Sequence, residues 1–176
     1  MNLNNCNAHA STEEKDDAVK DAFYANLEDL YDKWPAHNIK IVLGDFNAKV
    51  GQEVFFGPAV GQFSLHSTTS PNGVRLIDFA AARNRVVCST RFQHRDMHKA
   101  TWLSPDRSTR NQIDHGVIDG RYASNVLDVR TFRGPNMDSL QPMRLMRMRI
   151  STSRAVPSST QRKLEVKKLR SQRTVE

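Results

Sequence analysis

The stretch IKIVLGDFN at positions 39–47 decides the fold class. Its first five residues, Ile39 to Leu43, are nearly all apolar and mostly β-branched. A short run of this kind is typical of a β-strand that is buried on both faces, and Gly44 marks its end. Polar residues follow directly, at the carboxyl end of the strand. The stretch therefore predicts a central strand with candidate functional side chains at its end.

Patterns on either side of this strand predict two helices and several more strands. Residues Ser11 to Glu14 have the Ser-x-x-Glu spacing of a capping box, so we expect a helix that begins there and ends before Pro35. Its predicted apolar stripe consists of Val19, Phe23, Leu27, Leu30 and Trp34. A second amphipathic helix is predicted over residues 74–84, and strands over residues 85–90, 100–103, 112–118 and 126–132. This alternation predicts an α/β fold in which helices cover a sheet.

Composition excludes several classes of protein. With 176 residues, 38% of them hydrophobic and 26% charged, the chain fits one globular domain and has no run near the roughly 20 apolar residues of a membrane span. Residues 1–10 lack the basic start and apolar core of a signal peptide. The two cysteines, Cys6 and Cys88, lie outside any CxxC pair, so neither a disulfide framework nor a structural zinc site is predicted. We expect a nuclear or cytoplasmic protein that is not secreted.

The positive charge is concentrated near the C-terminus. Residues 140–176 contain ten basic and two acidic residues, so they account for more than the whole net charge of +7. Residues 140–157 are rich in Met, Arg and Ser, with too few apolar side chains to order themselves well. We therefore predict a basic, poorly ordered tail over residues 140–176. It is either a solvated segment or a nonspecific contact to nucleic-acid phosphates.

The sharpest chemical signal is Gly44-Asp45-Phe46-Asn47. In an extended segment Asp45 and Asn47 point the same way while Phe46 turns inward. A carboxylate in this position can orient or deprotonate an attacking water, and an amide can stabilise phosphoryl oxygens without adding negative charge. The alternative is a turn in which both side chains make local backbone hydrogen bonds.

A second carboxylate, Asp114, lies in the predicted strand at residues 112–118. A buried aspartate needs a partner, and a histidine held in one tautomer is the usual catalytic one. Its neighbour His115 points to the opposite face and is a poor partner. The remaining histidines are scattered along the chain and are interpreted as surface or structural residues.

Taken in order, Gly44-Asp45-Phe46-Asn47, Thr101-Trp102 and Ile113-Asp114-His115 resemble the endonuclease/exonuclease/phosphatase family. Within it, the chain looks most like the endonuclease domain of RTE-type non-LTR retrotransposons. Further matching segments are His9-Ala10-Ser11-Thr12-Glu13, Ser70-Pro71-Asn72-Gly73 and Phe79-Ala80-Ala81.

The resemblance implies a four-layer α/β sandwich that cuts DNA phosphodiester bonds with Mg²⁺ or Mn²⁺. Residues 7–139 correspond to the C-terminal portion of that domain, so we expect a partial sandwich that lacks its N-terminal portion. By the same resemblance Asp45 acts on the nucleophilic water, Asn47 stabilises the transition state and Asp114 orients a catalytic histidine. Asp45 and Asn47 are the implied metal ligands. His9 and Trp102 are the implied substrate-binding residues.

Two departures from the family bear on activity. Leu140-Gln141-Pro142 stands where the family's closing Ser-Asp-His motif is expected. The earlier strands that bring further metal ligands are also expected to be missing, so we expect metal binding to be weak or lost. Three readings follow: an active endonuclease, a truncated and inactive endonuclease domain, and a co-opted non-enzymatic fragment that contacts nucleic acid or protein through the basic tail. The second reading is the one we predict, and the third is the alternative.

Overall fold

A computed structural model describes residues 2–133 and 144–151 of the chain. The predicted α/β class is confirmed. The helices are α1 (Asp17–Lys33) and α2 (Pro71–Ala81). The strands are β1 (Leu3–His9), β2 (Ile39–Asp45), β3 (Arg85–Val87), β4 (Trp102–Leu103), β5 (Arg110–Asn111), β6 (Asp114–Asp119), β7 (Val126–Arg133) and β8 (Arg144–Ile150). Across these described ranges, neither helix is long and apolar enough to cross a bilayer.

The central sheet has four strands in the order β1-β2-β6-β3. Strand β2 runs parallel to β1 and antiparallel to β6, and β3 is antiparallel to β6. Strand β2 lies between two neighbours, and its residues 39–43 are all buried, as the apolar run predicts. At Gly44 the backbone of β1 comes so close that a Cβ atom would lie 1.9 Å from the Ala8 carbonyl oxygen.

Side chains of β2 alternate between two hydrophobic cores. Val42 faces the helices, where it joins a core with Leu27, Phe46 and Leu76. Ile39, Ile41 and Leu43 face the opposite way and pack with Ile118, Val129 and Met148. The molecule is therefore layered: the helices, the four-stranded sheet, and the two-stranded sheet of β7 and β8.

Helix α1 departs from the predicted pattern at its start and along its face. Asp16, not Ser11, is its N-cap. The predicted capping box of Ser11 and Glu14 does not form, because the helix begins only at Asp17. Glu13 accepts a hydrogen bond from the backbone N–H of Asn72, 3.1 Å away, and so ties this loop to α2. Val19 and Leu30 of the predicted stripe are 50% and 39% exposed.

Three other segments also differ from the predictions. Helix α2 begins at Pro71 with Ser70 as its N-cap, three residues earlier than predicted. The predicted strand over residues 85–90 is β-structured only as far as Val87, because residues 88–90 form a 3₁₀ turn. Residues 144–150, which lie in the segment predicted to be poorly ordered, form β8 and pair with β7. The remainder of that predicted tail lies outside the described residues.

Candidate carboxylate site at the end of the central sheet

One row of the central sheet brings three of the predicted site residues together. His9 is the register partner of Asp45 across β1 and β2, and Asp45 is the register partner of Asp114 across β2 and β6. Register partners on neighbouring strands direct their side chains to the same face of a sheet. The row His9-Asp45-Asp114 therefore forms one polar strip, which we call the carboxylate site.

Asp45 is held from two directions. Its Oδ1 accepts the backbone N–H of Asn47 at 2.9 Å, and its Oδ2 lies 3.8 Å from Nδ1 of His9. The His9 side chain is 75% exposed, whereas that of Asp45 is 31% exposed. One carboxylate oxygen is thus fixed by the backbone, while the other faces an imidazole that is open to solvent.

Asn47 is close to the row but does not point alongside Asp45 in the predicted extended geometry. Strand β2 ends at Asp45, and Asn47 has a positive φ of 46°, so the chain turns there. The Asn47 amide Nδ2 donates to the carbonyl oxygen of Ala10 at 2.8 Å. The alternative of an Asp/Asn turn with local backbone bonds is therefore what forms, and Phe46 is fully buried as predicted.

Asn72 supports this turn, and the sequence analysis assigned it no role. Its side-chain amide donates to the carbonyl oxygens of Ser11 and Asn47, both at 3.1 Å. Its side chain is buried at the start of α2. Buried polar side chains are nearly always hydrogen-bonded, so an amide that is buried at a helix start indicates a structural contact. That burial is the signal that indicates the role of Asn72.

Asp114 is positioned by a second residue without a predicted role, Thr101. The Thr101 hydroxyl oxygen accepts the backbone N–H groups of Ile113 and Asp114 at 3.0 and 3.1 Å. This contact joins the segment before β4 to the start of β6. Trp102, the predicted substrate-binding residue, follows Thr101 on β4 and is 39% exposed, and the structure places it on the β4–β5 hairpin rather than in the row.

Burial raises the pKa values of both carboxyl groups. For Asp114 the pKa rises to about 6, chiefly because the group is buried and also because of the negative charge of Asp45. A hydrogen bond from Thr101 and the positive charge of His9 oppose this rise. Burial likewise raises the pKa of Asp45, against the Asn47 hydrogen bond and the charge of His9. Each group would ionise more readily with a cation between them.

This pair of carboxylates suits a hard divalent cation. Mg²⁺ keeps several of its water ligands in proteins and commonly binds through one or two carboxylates together with phosphate oxygens. Asp45 and Asp114 match that donor set. Within residues 2–133 and 144–151 no group of three or more His, Cys, Asp or Glu side chains could hold a metal ion. Asp45 and Asp114 thus form a pair of carboxylates, one fewer than such a group requires.

His115 is not part of the site, in agreement with the sequence analysis. It is completely buried, with Nε2 2.9 Å from the Ala48 carbonyl oxygen and Nδ1 2.8 Å from the Ser89 hydroxyl oxygen. A carbonyl oxygen can only accept, so Nε2 carries the proton and the Ser89 hydroxyl donates to Nδ1. Burial lowers the pKa of His115 to about 4, so the ring is neutral at physiological pH.

A narrow cleft joins the carboxylate site to the β7–β8 sheet. Asp114 and Thr101 line it on one side and Arg130 and Met146 on the other, with His98 and Lys99 also in its wall. The sequence analysis assigned no role to Lys99 or Arg130. They lie outside β6, so no local sequence pattern could have placed them near Asp114.

Comparison with known proteins identifies relatives of known name. No protein-family model matches the chain. It is 32% identical over 138 residues to Craniofacial development protein 2 of Tragulus javanicus, an alignment that covers 78% of this chain and 24% of that protein. It is 29% identical over 160 residues to Craniofacial development protein 2 of Bos taurus, covering 91% of this chain and 26% of that protein. The chain thus spans about a quarter of the length of these curated relatives. At about 30% identity, it is similar to proteins named Craniofacial development protein 2.

Proposed function

We propose that the chain is an inactive portion of a metal-dependent DNA endonuclease domain of the endonuclease/exonuclease/phosphatase type, derived from an RTE-type non-LTR retrotransposon. The row His9-Asp45-Asp114 is the observation that carries the proposal. The layering of helices, a mixed sheet and a second sheet supports the four-layer sandwich of that family. We place the protein in the nucleus or cytoplasm, with DNA as its partner.

In this proposal Asp45 and Asp114 hold Mg²⁺ or Mn²⁺, with water completing the coordination. A bound divalent cation stabilises the negative charge of a phosphate group. Asp45 is placed to orient a water molecule, because Oδ2 is the oxygen that is not fixed by Asn47. His9 is exposed beside it and can donate a hydrogen bond to a phosphate oxygen. Asn47 orders the turn through Ala10 and keeps its amide oxygen for a further contact.

The proposed lack of hydrolysis rests on the sequence after β7. Leu140-Gln141-Pro142 has no group that can accept a proton from water, and the resemblance places the catalytic histidine there. A positioned general base typically contributes a factor of about 10² to 10⁴ in rate. His9 does not replace it, because its ring is 75% exposed and its nearest carboxylate oxygen is 3.8 Å away, too far for a hydrogen bond that would orient it.

A second candidate is a co-opted fragment that binds nucleic acid or protein without catalysis, through the basic residues of 140–176. The observation that favours it is that part of this segment, residues 144–150, is an ordered strand with arginines at alternate positions near its end. Under this proposal the carboxylate site is inherited from the ancestral domain, and the basic segment binds the nucleic acid or protein.

The test is a supercoiled-plasmid nicking assay with the full chain, Mg²⁺ or Mn²⁺, and an Asp45→Ala variant as the matched control. We expect equal background nicking by both proteins. Nicking by the wild type that disappears in Asp45→Ala would contradict the inactive state and favour an active endonuclease. Folding of both proteins is checked by circular dichroism, because Asp45 also accepts the Asn47 N–H.

A further inference from the structure

Strand β1 forms one edge of the central sheet. Among the strands of the described residues it pairs with β2 alone, so backbone groups of alternate residues point away from the sheet. Edge strands of natural proteins usually carry charged residues, proline or a bulge that discourages pairing with another strand. The seven residues of β1, LNNCNAH, include no proline and no Asp, Glu, Lys or Arg. The edge is therefore suited to pairing with a further strand.

Helix α1 carries exposed apolar side chains along one side. Val19 and Leu30 are 50% and 39% exposed, and Phe23, between them in the sequence, is half-buried. With 3.6 residues per turn, these three side chains project from the same side of the helix. We call them the outer row of α1.

The other side of α1 faces α2. Asp21 lies roughly 200° around the helix from Val19 and accepts a hydrogen bond from Nε of Arg75 on α2 at 3.1 Å. Asp32, on the same side as Asp21, pairs with Arg83, which follows α2. Helix α2 in turn packs beside β3, which forms the opposite edge of the central sheet from β1. The outer row therefore points away from α2 and toward the β1 edge.

A groove joins the outer row to the end of β1. It has a volume of about 400 Å³ and is lined by Val19, Phe23, Lys15 and residues 9–12. Strand β1 leads directly into residues 9–12. The edge of β1, the groove and the outer row thus form one continuous surface, which we call the β1 side.

We propose that the β1 side binds a second copy of this chain, in a symmetric dimer in which the two β1 strands pair antiparallel. A two-fold axis perpendicular to the sheet places the same surface of each copy against the other. The two four-stranded sheets then join into one continuous sheet. This inference goes beyond the proposed function, because it depends neither on a metal nor on DNA.

The sequence of β1 suits pairing with itself. In an antiparallel register centred on Cys6, Asn5 of each copy lies opposite Asn7 of the other. Both side chains are exposed, and an amide both donates and accepts hydrogen bonds, so each Asn5 can pair with an Asn7. Leu3 lies opposite His9 in the same register. The residues that precede Leu3 in the second copy therefore lead toward the groove.

The same axis brings the two α1 helices side by side. Helix α1 packs in one core with Ala8 of β1 and Val42 of β2, so it covers this pair of strands. Strands lie about 4.8 Å apart, so a helix centred over the pair lies about 10 Å from its copy, an ordinary distance between packed helices. The axis reverses the helix direction, so Val19 of one copy lies toward Leu30 of the other, with the Phe23 side chains between them.

The test measures the molar mass of the full chain by sedimentation equilibrium in EDTA over a range of micromolar concentrations. The chain has a mass of 20.0 kDa, and we expect a dimer of twice that mass. Val19→Glu/Leu30→Glu places carboxylates across the axis from each other. The matched control, Val74→Glu/Leu127→Glu, makes the same changes at residues of α2 and β7 that are 40% and 48% exposed.

We expect Val19→Glu/Leu30→Glu to weaken dimerisation at least about a hundredfold, because like charges that face each other across an interface cost several kcal/mol. The control should stay within about threefold of the wild type. Equal weakening by the two variants would overturn the proposal. A wild type that stays monomeric throughout the concentration range would also overturn it, and would leave the β1 edge to a strand of another polypeptide.

Charge exchange on β1 gives a second test that does not depend on α1. Asn5→Lys/Asn7→Lys and Asn5→Asp/Asn7→Asp each place like charges opposite one another across the axis, so each variant alone should be monomeric. An equimolar mixture should form a one-to-one heterodimer, because each Lys then faces an Asp. A misfolded variant would not show this rescue. Dimers that persist in both separate variants, or a mixture that stays monomeric, would rule out pairing through β1.

Discussion

Asp45 and Asp114 are direct register partners on neighbouring antiparallel strands. One closes β2 and the other opens β6, so two acidic side chains share a half-buried strip at the same end of the sheet. Burial raises the pKa of each group, and the negative charge of Asp45 adds to the rise at Asp114. We propose that a cation bound between the two carboxylates offsets the cost of ionising them.

Replacement of Asp114 by Asn should stabilise the protein at neutral pH. The unfolded chain ionises this group near pH 3.8 and the folded chain at about 6, so stability of the wild type falls as the pH rises through this window. The difference between the folded and unfolded pKa values corresponds to at most about 3 kcal/mol in the free energy of unfolding. We expect Asp114→Asn to gain about 1–3 kcal/mol relative to the wild type at pH 7.5 and much less at pH 4.5, measured by urea unfolding in EDTA. The same difference at both pH values would contradict the raised pKa.

The contribution of His115 to the free energy of unfolding should depend on pH in the opposite way. Its folded pKa of about 4 lies below the unfolded value of 6.5, so its contribution is complete above pH 6.5 and is lost as the pH falls toward 4. His115→Ala leaves the Ala48 carbonyl and the Ser89 hydroxyl without their partner and should cost about 3 kcal/mol at pH 7. The cost should shrink at pH 4.5. His37→Ala, at an exposed histidine, is the control and should change stability by less than about 0.5 kcal/mol at either pH.

Sequence patterns located the individual parts of the site but not their assembly. The buried run at 39–43 and the acids Asp45 and Asp114 were visible because each sits in a local pattern of apolar residues. Their common row depends on the register of β1, β2 and β6, which joins residues far apart in the chain and leaves no local trace. The turn at Asn47 was one of two open alternatives, because its left-handed backbone depends on the Ala10 carbonyl and on Asn72.

Strand β8 is a second feature that local sequence patterns do not predict. Its alternating Met and Arg residues have the period of a half-buried strand, but the segment holds too few apolar residues to order itself alone. Its order comes from β7, whose Val129 and Thr131 provide an apolar face beside Met146 and Met148. Tertiary pairing therefore overrides a composition that is typical of a disordered segment.

Arg85 should be the most costly arginine to remove. Its buried guanidinium lies 4.1 and 4.0 Å from the ring centroids of Tyr31 and Phe79 and makes two 2.7 Å hydrogen bonds to Glu28. Arg85→Ala loses these contacts and leaves Glu28 without this partner, so we expect a loss of about 3–5 kcal/mol in the free energy of unfolding. Arg83→Ala removes a half-exposed ion pair and should cost far less than Arg85→Ala. Similar costs for the two variants would contradict the role of Arg85 as a buried anchor.

Gly44 should tolerate no side chain. A Cβ atom there would lie 1.9 Å from the Ala8 carbonyl oxygen and 2.8 Å from its carbon, so β1 and β2 would have to separate. We expect Gly44→Ala to lose about 3 kcal/mol or more, or to fail to fold, as judged by thermal melting. Gly57→Ala is the comparison, because its nearest atom would be 3.5 Å away. A melting temperature for Gly44→Ala equal to that of the wild type would contradict the close approach of the two strands.

We propose that Asp45 and Asp114 form one divalent-cation site. The most direct test is a Mn²⁺ titration of the full chain, followed by the electron paramagnetic resonance signal of free Mn²⁺, for the wild type, Asp45→Asn and Asp114→Asn. The account predicts one site in the wild type whose affinity falls as the pH drops through about 6 and is at least about tenfold weaker in each variant. Mn²⁺ binding that is absent from the wild type, or unchanged in both variants, would contradict it.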